Sequence, residues 1–201
     1  NLPASAEAYA IEADVTDEDE VKDYVRAAVD RFGTVDAFYN NAGIEGDVRP
    51  IPEYSLESFR RVLDVNVVGV FLGMKHVLPV MLKQNKGSII NTASINSDKP
   101  NPTLLAYATT KGAIQNFTAG LAQLLGSRGI RANAVAPGPI WTPLIPSTMP
   151  AEMVESFGSD TPLGRAGQPT ELAPAYVFLA SPESSYVVGA TIPVTGGMPT
   201  P

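Results

Sequence analysis

The stretch 87–94, GSIINTAS, decides the fold class of this 201-residue chain. Its centre, from Ser88 to about Thr92, is a short apolar run bounded by a glycine and by small polar residues, which predicts a β-strand. Continuous apolar strands of this kind are typical of a parallel sheet that is covered by helices on both faces. The segment therefore predicts the middle of an α/β domain.

Strands and helices alternate on both sides of this stretch. Further strands are predicted at Ala8–Val15, in VDAFYNNAG (35–43), at Ile130–Val135 and in ATIPVTGG (190–197). The first helix is predicted at Thr16–Phe32, with Thr16 as its N-cap and Gly33 at its end. A second helix is predicted to begin at Ser55 and to continue through a long apolar segment that contains Pro79. Two more are predicted at Tyr107–Leu125 and from near Pro169. This order predicts one domain, 1–201, with a doubly wound parallel sheet in a three-layer α/β/α arrangement.

The segment 139–168 differs from the rest, because it is rich in Pro, Ser and Thr and has no long periodic run. We interpret it as a mobile substrate-binding lobe within the domain. Trp141, Leu144 and Ile145 are then either ordinary core residues or apolar walls of the substrate pocket.

Composition excludes several classes of function. The net charge of −7 and the absence of any long Lys/Arg cluster argue against a nucleic-acid or anionic-membrane surface. The chain has no cysteine, and its single histidine, His76, lies in a helix-like segment, so no metal site is expected. No apolar run was expected to approach the ~20 residues of a membrane span, and no signal peptide is evident. These features predict a soluble, cytoplasmic protein.

In open parallel sheets, ligands bind at the carboxyl ends of the strands. That rule selects Asp14-Val15, Asn40 to Gly43, Thr92 to Asn96, and Pro137 to Thr142. The residues at these ends are small, polar or glycine, as close approach of a ligand to the backbone requires.

One helix carries a candidate proton-transfer pair. Tyr107 and Lys111 are four residues apart and therefore lie on one helix face. An ammonium near a phenol favours the phenolate, so Lys111 is expected to lower the pKa of Tyr107 and make it a general acid/base. Taken alone, such a pair is more often part of an ordinary helix surface. Ser94 follows a strand end thirteen residues earlier, and Asn66 interrupts an apolar helix, where a buried amide needs partners unless it faces solvent.

Together these residues resemble the short-chain dehydrogenase/reductase family. The motifs Asn40-Asn41-Ala42-Gly43, Asn66, Ser94, Tyr107-x-x-x-Lys111 and Pro137-Gly138 occur in that family's order, and the resemblance extends over nearly the whole chain, closest to its NADP-dependent aldehyde or alcohol reductases. It implies a Rossmann-like fold and hydride transfer between NAD or NADP and a small carbonyl or secondary alcohol substrate, without a metal.

The resemblance also implies roles for individual residues. Tyr107 would exchange the proton, Lys111 would lower its pKa and hydrogen-bond the nicotinamide ribose, Ser94 would hold the substrate oxygen, and Asn66 would break the helix ladder and hold a relay water. The implied cofactor-binding residues are Asp14, Val15, Asn40, Ala42, Gly43, Tyr107, Lys111, Pro137, Gly138, Ile140 and Thr142. Asp14 is alternatively a helix cap, and Asn40 to Gly43 alternatively a plain turn.

The family's Gly-rich phosphate turn does not occur in this sequence. By resemblance, Ala8–Val15 corresponds to the family's third strand, so the fold is expected to be N-terminally incomplete, with the first two strands missing. Three explanations stay open: a longer native protein, which we favour, a partner chain that fills the gap, or pairing of Ala8–Val15 directly with Val35–Tyr39. The alternative function is a cofactor-free fragment with a structural or oligomerising role, and dehydration or epimerisation is a disfavoured third.

Association is predicted by analogy. The helical segments Val65 to Val80 and Ala113 to Leu125 are apolar around much of their circumference. Family members commonly pair such helices, so a homodimer or homotetramer is expected.

Overall fold

The computed structural model describes residues 6–149 and 151–200, and these form a three-layer α/β/α domain. Its sheet has four parallel strands in the order β1-β2-β3-β4. They are β1 (Ala37–Asn40), β2 (Gly87–Thr92), β3 (Ile130–Pro137) and β4 (Thr191–Val194). The parallel sheet predicted from GSIINTAS is thus confirmed, and the carboxyl ends of β2 and β3 meet at one edge.

The four predicted helical segments are present, and the lobe contains two further short helices that the sequence does not predict. They are α1 (Glu18–Phe32), α2 (Leu56–Leu63), α3 (Gly69–Gln84), α4 (Leu105–Leu125), two short helices in the lobe, α5 (Leu144–Thr148) and α6 (Ala151–Glu155), and α7 (Pro169–Ala180). A five-residue π-helical turn, Asp64–Val68, joins α2 to α3 without a break.

Neighbouring residues of β2 point to opposite faces of the sheet. Ile89 packs with Met74, Val77 and Met81 of α3, whereas Ile90 packs with Leu179 of α7. All six side chains are essentially fully buried. Because a buried aliphatic side chain stabilises the fold by roughly 1.5–3 kcal/mol, this apolar strand fixes both helix layers.

The predicted strand Ala8–Val15 is wrong. Residues 6–14 belong to no helix or strand, Val15 lies in a turn, and the segment is mostly exposed and forms no ladder with β1. An apolar run becomes a strand only where a neighbouring backbone accepts and donates its hydrogen bonds. Direct pairing of this segment with Val35–Tyr39 is therefore excluded among the three explanations.

The N-cap of α1 is Asp17, one residue after the predicted Thr16. The Asp17 carboxylate accepts hydrogen bonds from the N–H groups of Asp19 and Glu20. The Thr16 hydroxyl is used differently, since it donates to the carboxylate of Asp14 at 2.8 Å.

The continuous helix Leu56–Gln84 corresponds to the long apolar helix predicted from Ser55, but it contradicts the expectation that no segment is long and apolar enough for a membrane span. One 18-residue window has a mean hydropathy of 1.7, enough by length and composition for a membrane span, and 44% of that window is buried inside the protein. Met74, Val77 and Met81 of this helix lie against the sheet. Its apolar character is therefore partly that of a core helix.

Candidate active site

The carboxyl edge of the sheet opens into a cleft of about 1080 Å³. Ser94 follows β2, Tyr107 and Lys111 come from the first two turns of α4, and Pro137 ends β3, and all four line the cleft. The lobe covers its other side with Leu144 and Ile145, so these two side chains are pocket walls. Three of the four predicted catalytic residues therefore meet in one cavity.

Lys111 is held at the floor of this cleft. Its side chain is buried, and Nζ donates a 2.7 Å hydrogen bond to the carbonyl of Thr92 at the end of β2. Nζ also lies 5.4 Å from the centroid of the Tyr107 ring. Burial lowers the pKa of Lys111 to about 8. The ammonium is therefore poised to lose its proton near the upper end of the physiological pH range.

The pKa of Tyr107 shifts in the opposite direction from the prediction. Burial raises it to about 12, the hydroxyl of Ser94 opposes that rise by hydrogen bonding, and the negative charge of Glu45 adds to it. The ammonium of Lys111 lies over the Tyr107 ring and is hydrogen-bonded to the carbonyl of Thr92. The expected lowering of the phenol pKa by Lys111 is thus wrong for the protein in this form.

Asn66 lies behind the cleft, at the centre of the π-helical turn, and is fully buried. Its Oδ1 accepts from the N–H of Ile44 at 2.8 Å, and its Nδ2 donates to the Ile44 carbonyl at 2.8 Å and to Thr110 Oγ1 at 3.0 Å. The α-helical ladder is interrupted here, as predicted. The amide itself anchors the turn after β1 to α4, and the relay water stays a prediction.

The predicted cofactor residues divide between two adjoining cavities. Gly43, Pro137, Gly138, Ile140 and Thr142 line the main cleft. Val15, Asn40 and Ala42 line a smaller cavity of about 270 Å³. The cavities share two lining residues, Tyr39 and Asn41, and so form a path along the ends of β1 and β2.

The backbone at Ile140 is arranged to meet a ligand. A β-bridge joins Ile140 to Gly167 through the Pro139 carbonyl, at 2.9 Å, and the Trp141 N–H, at 2.8 Å. In such a bridge the N–H and C=O of Ile140 point away from Gly167. Trp141 itself stacks at a tilt on Phe157, with 6.3 Å between ring centroids, and so helps hold the lobe together.

Two predicted cofactor residues are used structurally. Asp14 lines neither cavity. Its carboxylate accepts hydrogen bonds from the N–H and the hydroxyl of Thr16, both at 2.8 Å. This local capping role is the alternative to cofactor binding that the sequence left open. The amide of Asn40 donates to Asn91 at 3.0 Å inside the sheet.

Sequence reasoning missed Glu45, Thr110 and Thr148. Glu45 is a buried acid that lines the cleft, and its Oε2 accepts from Thr148 Oγ1 of the lobe at 3.0 Å. A lone acidic residue two positions after a predicted ligand-binding turn was the available signal for Glu45. Thr110 carried no such signal, because its role depends on the position of Asn66 in space.

The fold and this arrangement of Ser94, Tyr107 and Lys111 define a class of protein. The family model described as enoyl-(acyl carrier protein) reductase matches residues 1–199. The chain belongs to the short-chain dehydrogenase/reductase family.

Similar proteins carry several activities within this family. The chain is 46% identical over 188 residues to glucose and ribitol dehydrogenase of Daucus carota, covering 94% of this chain and 64% of that protein. It is 44% identical over 194 residues to NADPH-dependent aldehyde reductase 1 of Arabidopsis thaliana, covering 96% of this chain and 67% of that one.

Solved structures agree with the fold. The crystal structure of levodione reductase superposes with a TM-score of 0.92 at 38% identity, covering 96% of this chain and 77% of the other. The structure of NAD⁺-bound xylitol dehydrogenase superposes with a TM-score of 0.86 at 34% identity, covering 92% of this chain and 77% of the other. The chain spans only about 64–65% of the length of several curated relatives.

Proposed function

We propose that this protein is an NAD(P)-dependent oxidoreductase that transfers a hydride between the nicotinamide and a carbonyl or secondary alcohol. The observation that carries the proposal is the convergence of Ser94, Tyr107 and Lys111 on one 1080 Å³ cleft at the carboxyl edge of a parallel sheet. Relatives support it, because they include dehydrogenases, an NADPH-dependent reductase and an NAD⁺-bound structure.

The residues fit a nicotinamide dinucleotide. The backbone groups of Ile140 that face away from Gly167 are suited to a carboxamide. A Cβ on Gly43 would come 3.2 Å from Asn66 Oδ1 and 3.7 Å from Lys111 Nζ, so the glycine keeps free the space beside the ammonium that a side chain would occupy. The smaller cavity extends this path past Ala42 to Val15, in the direction of an adenosine half. When bound, the cofactor supplies the hydride acceptor or donor.

The protein's own part in the reaction is proton transfer and orientation. Ser94 Oγ holds the substrate oxygen, and Tyr107 takes the hydroxyl proton during oxidation or returns it during carbonyl reduction. With a pKa of about 12, Tyr107 is almost entirely protonated at neutral pH, so alcohol oxidation requires the Lys111 ammonium to favour the phenolate more strongly in the loaded site. Asn66 positions the turn that carries Gly43 and Glu45.

The test combines binding with loss of turnover. The protein is titrated with NADH and with NADPH while the fluorescence of the reduced nicotinamide is followed, and oxidation of cyclohexanol is then measured with the matching oxidised cofactor. Micromolar binding and turnover are expected. Tyr107→Phe is expected to lower kcat by about 10²–10⁴-fold, because it removes the proton carrier and leaves the ring packing intact.

Lack of binding by either reduced cofactor would favour the alternative, a cofactor-free protein with a structural role. Retention of full turnover by Tyr107→Phe would contradict the assignment of the acid/base. A small-molecule substrate, a homodimer or homotetramer and a cytoplasmic location belong to the same proposal. The choice between NAD and NADP follows from the two titrations.

A further inference from the structure

Glu45 is an acid in the proposed substrate cleft that the reaction as described does not use. It follows Ile44, whose backbone is fixed on both sides by Asn66, and precedes Gly46, whose φ of 72° turns the chain sharply. The side chain is 9% exposed and lines the same cleft as Ser94 and Tyr107. Its position is therefore set by the fold.

The two oxygens of this carboxyl group have different surroundings. Oε2 accepts from Thr148 Oγ1, whereas Oε1 has no hydrogen-bond partner among the described residues. Oε1 is also not sealed in the protein, since no buried side-chain oxygen there lacks a partner. Glu45 forms no ion pair with a described Lys, Arg or His. One oxygen of this cleft-lining residue is therefore accessible and has neither a hydrogen-bond partner nor a cation among the described residues.

A buried acid with a free oxygen is suited to a neutral donor. A hydroxyl group fits, because it satisfies the oxygen without bringing another charge into the cleft, and an analogue without that hydroxyl would leave the oxygen desolvated and unpaired. Burial also raises the pKa of Glu45.

We infer that Glu45 is a specificity-determining residue that selects substrates with a second hydroxyl group beside the reacting carbon, that is, vicinal diols and the corresponding hydroxy ketones. The inference rests on the proposed oxidoreductase function. The bond from Thr148 to Oε2 holds the carboxyl group in place when the lobe lies over the cleft. Glu45 thus adds a binding contact, and the proton transfer remains with Tyr107.

A matched pair of substrates tests the inference. The ratio of kcat/KM for cyclohexane-1,2-diol to that for cyclohexanol is measured with the preferred cofactor. The wild-type ratio is expected to exceed one, and Glu45→Leu is expected to lower it at least about tenfold, as loss of a hydrogen bond to a charged group predicts. Glu45→Gln keeps a polar group of the same size and should fall between the two. Glu152→Gln, an exposed acid on α6, is the charge control and should keep the wild-type ratio.

Several results would overturn the inference. A wild-type ratio of one or less would do so, as would equal losses on both substrates in Glu45→Leu, which would indicate a role in packing the lobe. Thr148→Val removes the lobe contact and leaves the carboxyl group. A role of Glu45 in substrate selection predicts that this variant still prefers the diol, whereas a role in packing the lobe predicts equal losses on both substrates.

A binding measurement separates failure of the inference from failure of the proposed function. The rise in thermal midpoint caused by each compound is measured in the presence of oxidised cofactor. In one outcome, the wild-type protein turns over neither compound but is stabilised more by the diol, and Glu45→Leu loses that difference. The hydride-transfer proposal then fails, whereas the role of Glu45 in binding the second hydroxyl stands. Equal stabilisation by both compounds in the wild-type protein contradicts the role of Glu45.

Discussion

Tyr107 and Lys111 show how burial decides the chemistry of single residues in this cleft. Burial moves the two pKa values apart, to about 12 for the phenol and about 8 for the ammonium. Spacing alone places both groups on one helix face. It does not reveal that Nζ bonds to the Thr92 carbonyl, which is why the predicted effect of Lys111 on the phenol was wrong.

Stability should depend on pH through Lys111. Between about pH 8 and 10.5 the unfolded chain keeps a proton that the native protein has lost, so the free energy of unfolding rises with pH in that window. At about 1.4 kcal/mol per pKa unit, the full rise is on the order of 3 kcal/mol. Urea unfolding at pH 7.5 and 9.5 should show this rise in the wild-type protein and not in Lys111→Met. The same pH slope in both proteins would contradict the depressed pKa.

Ser94 offers a second test at the scale of one residue. Ser94→Ala removes the hydroxyl proposed to hold the substrate oxygen, so kcat should fall by roughly 10²–10³-fold. Ser97→Ala is the matched control, because this neighbouring hydroxyl only accepts the Ser94 N–H at 3.4 Å within a short turn. Steady-state kinetics of both variants decide the matter. Similar kinetics for the two would remove Ser94 from the reaction.

At the scale of elements, the π-helical turn connects the long helix to the active-site edge. Asn66 in this turn bonds Ile44 after β1 and Thr110 of α4, and so holds three elements together with one amide. The interruption was predictable, because an amide among valines needs partners. Its partners were not, since they lie 22 and 44 residues away in sequence.

Asn66→Ala should therefore destabilise the protein. It leaves the partly buried N–H and C=O of Ile44 without these partners, and an unpaired buried polar group costs about 1–3 kcal/mol. We expect a loss of roughly 2–4 kcal/mol in the free energy of unfolding, measured by urea denaturation. Gln115→Ala removes an exposed amide that bonds Asp98 and should cost less than about 0.5 kcal/mol. Equal, small losses would mean that the turn holds without the amide.

Prediction of the elements succeeded where burial enforces them. The apolar centre of β2 and the cap of α2 at Ser55 lie where the sequence places them. Ala8–Val15 has a similar apolar pattern, but strand formation requires a paired neighbour, and that information is not local. The contacts between the lobe and the cleft, such as Thr148 with Glu45, were not predictable because 139–168 has no periodicity.

At the scale of the molecule, apolar side chains remain uncovered on the two long helices. Phe71 of α3 and Leu124 of α4 are 45% and 70% exposed. Exposed apolar surface on neighbouring helices is typical of an association surface. Such surface is the physical basis for the predicted homodimer or homotetramer.

Light scattering coupled to size exclusion should show a dimer or tetramer at micromolar concentration. Leu124→Lys places a charge on the proposed surface and should shift the population toward the monomer. Leu163→Lys, an equally exposed leucine outside these helices, is the control and should leave it unchanged. A wild-type monomer would contradict the prediction.

The stacking of Trp141 on Phe157 has a spectroscopic consequence. Trp141 is the one tryptophan of the sequence, so the indole emission of the protein arises from a single ring. That ring is 40% exposed and sits in the segment that covers the cleft. Excitation near 295 nm therefore reports on this segment alone, and changes in emission maximum or quenching on adding cofactor and alcohol would time its movement without any attached dye.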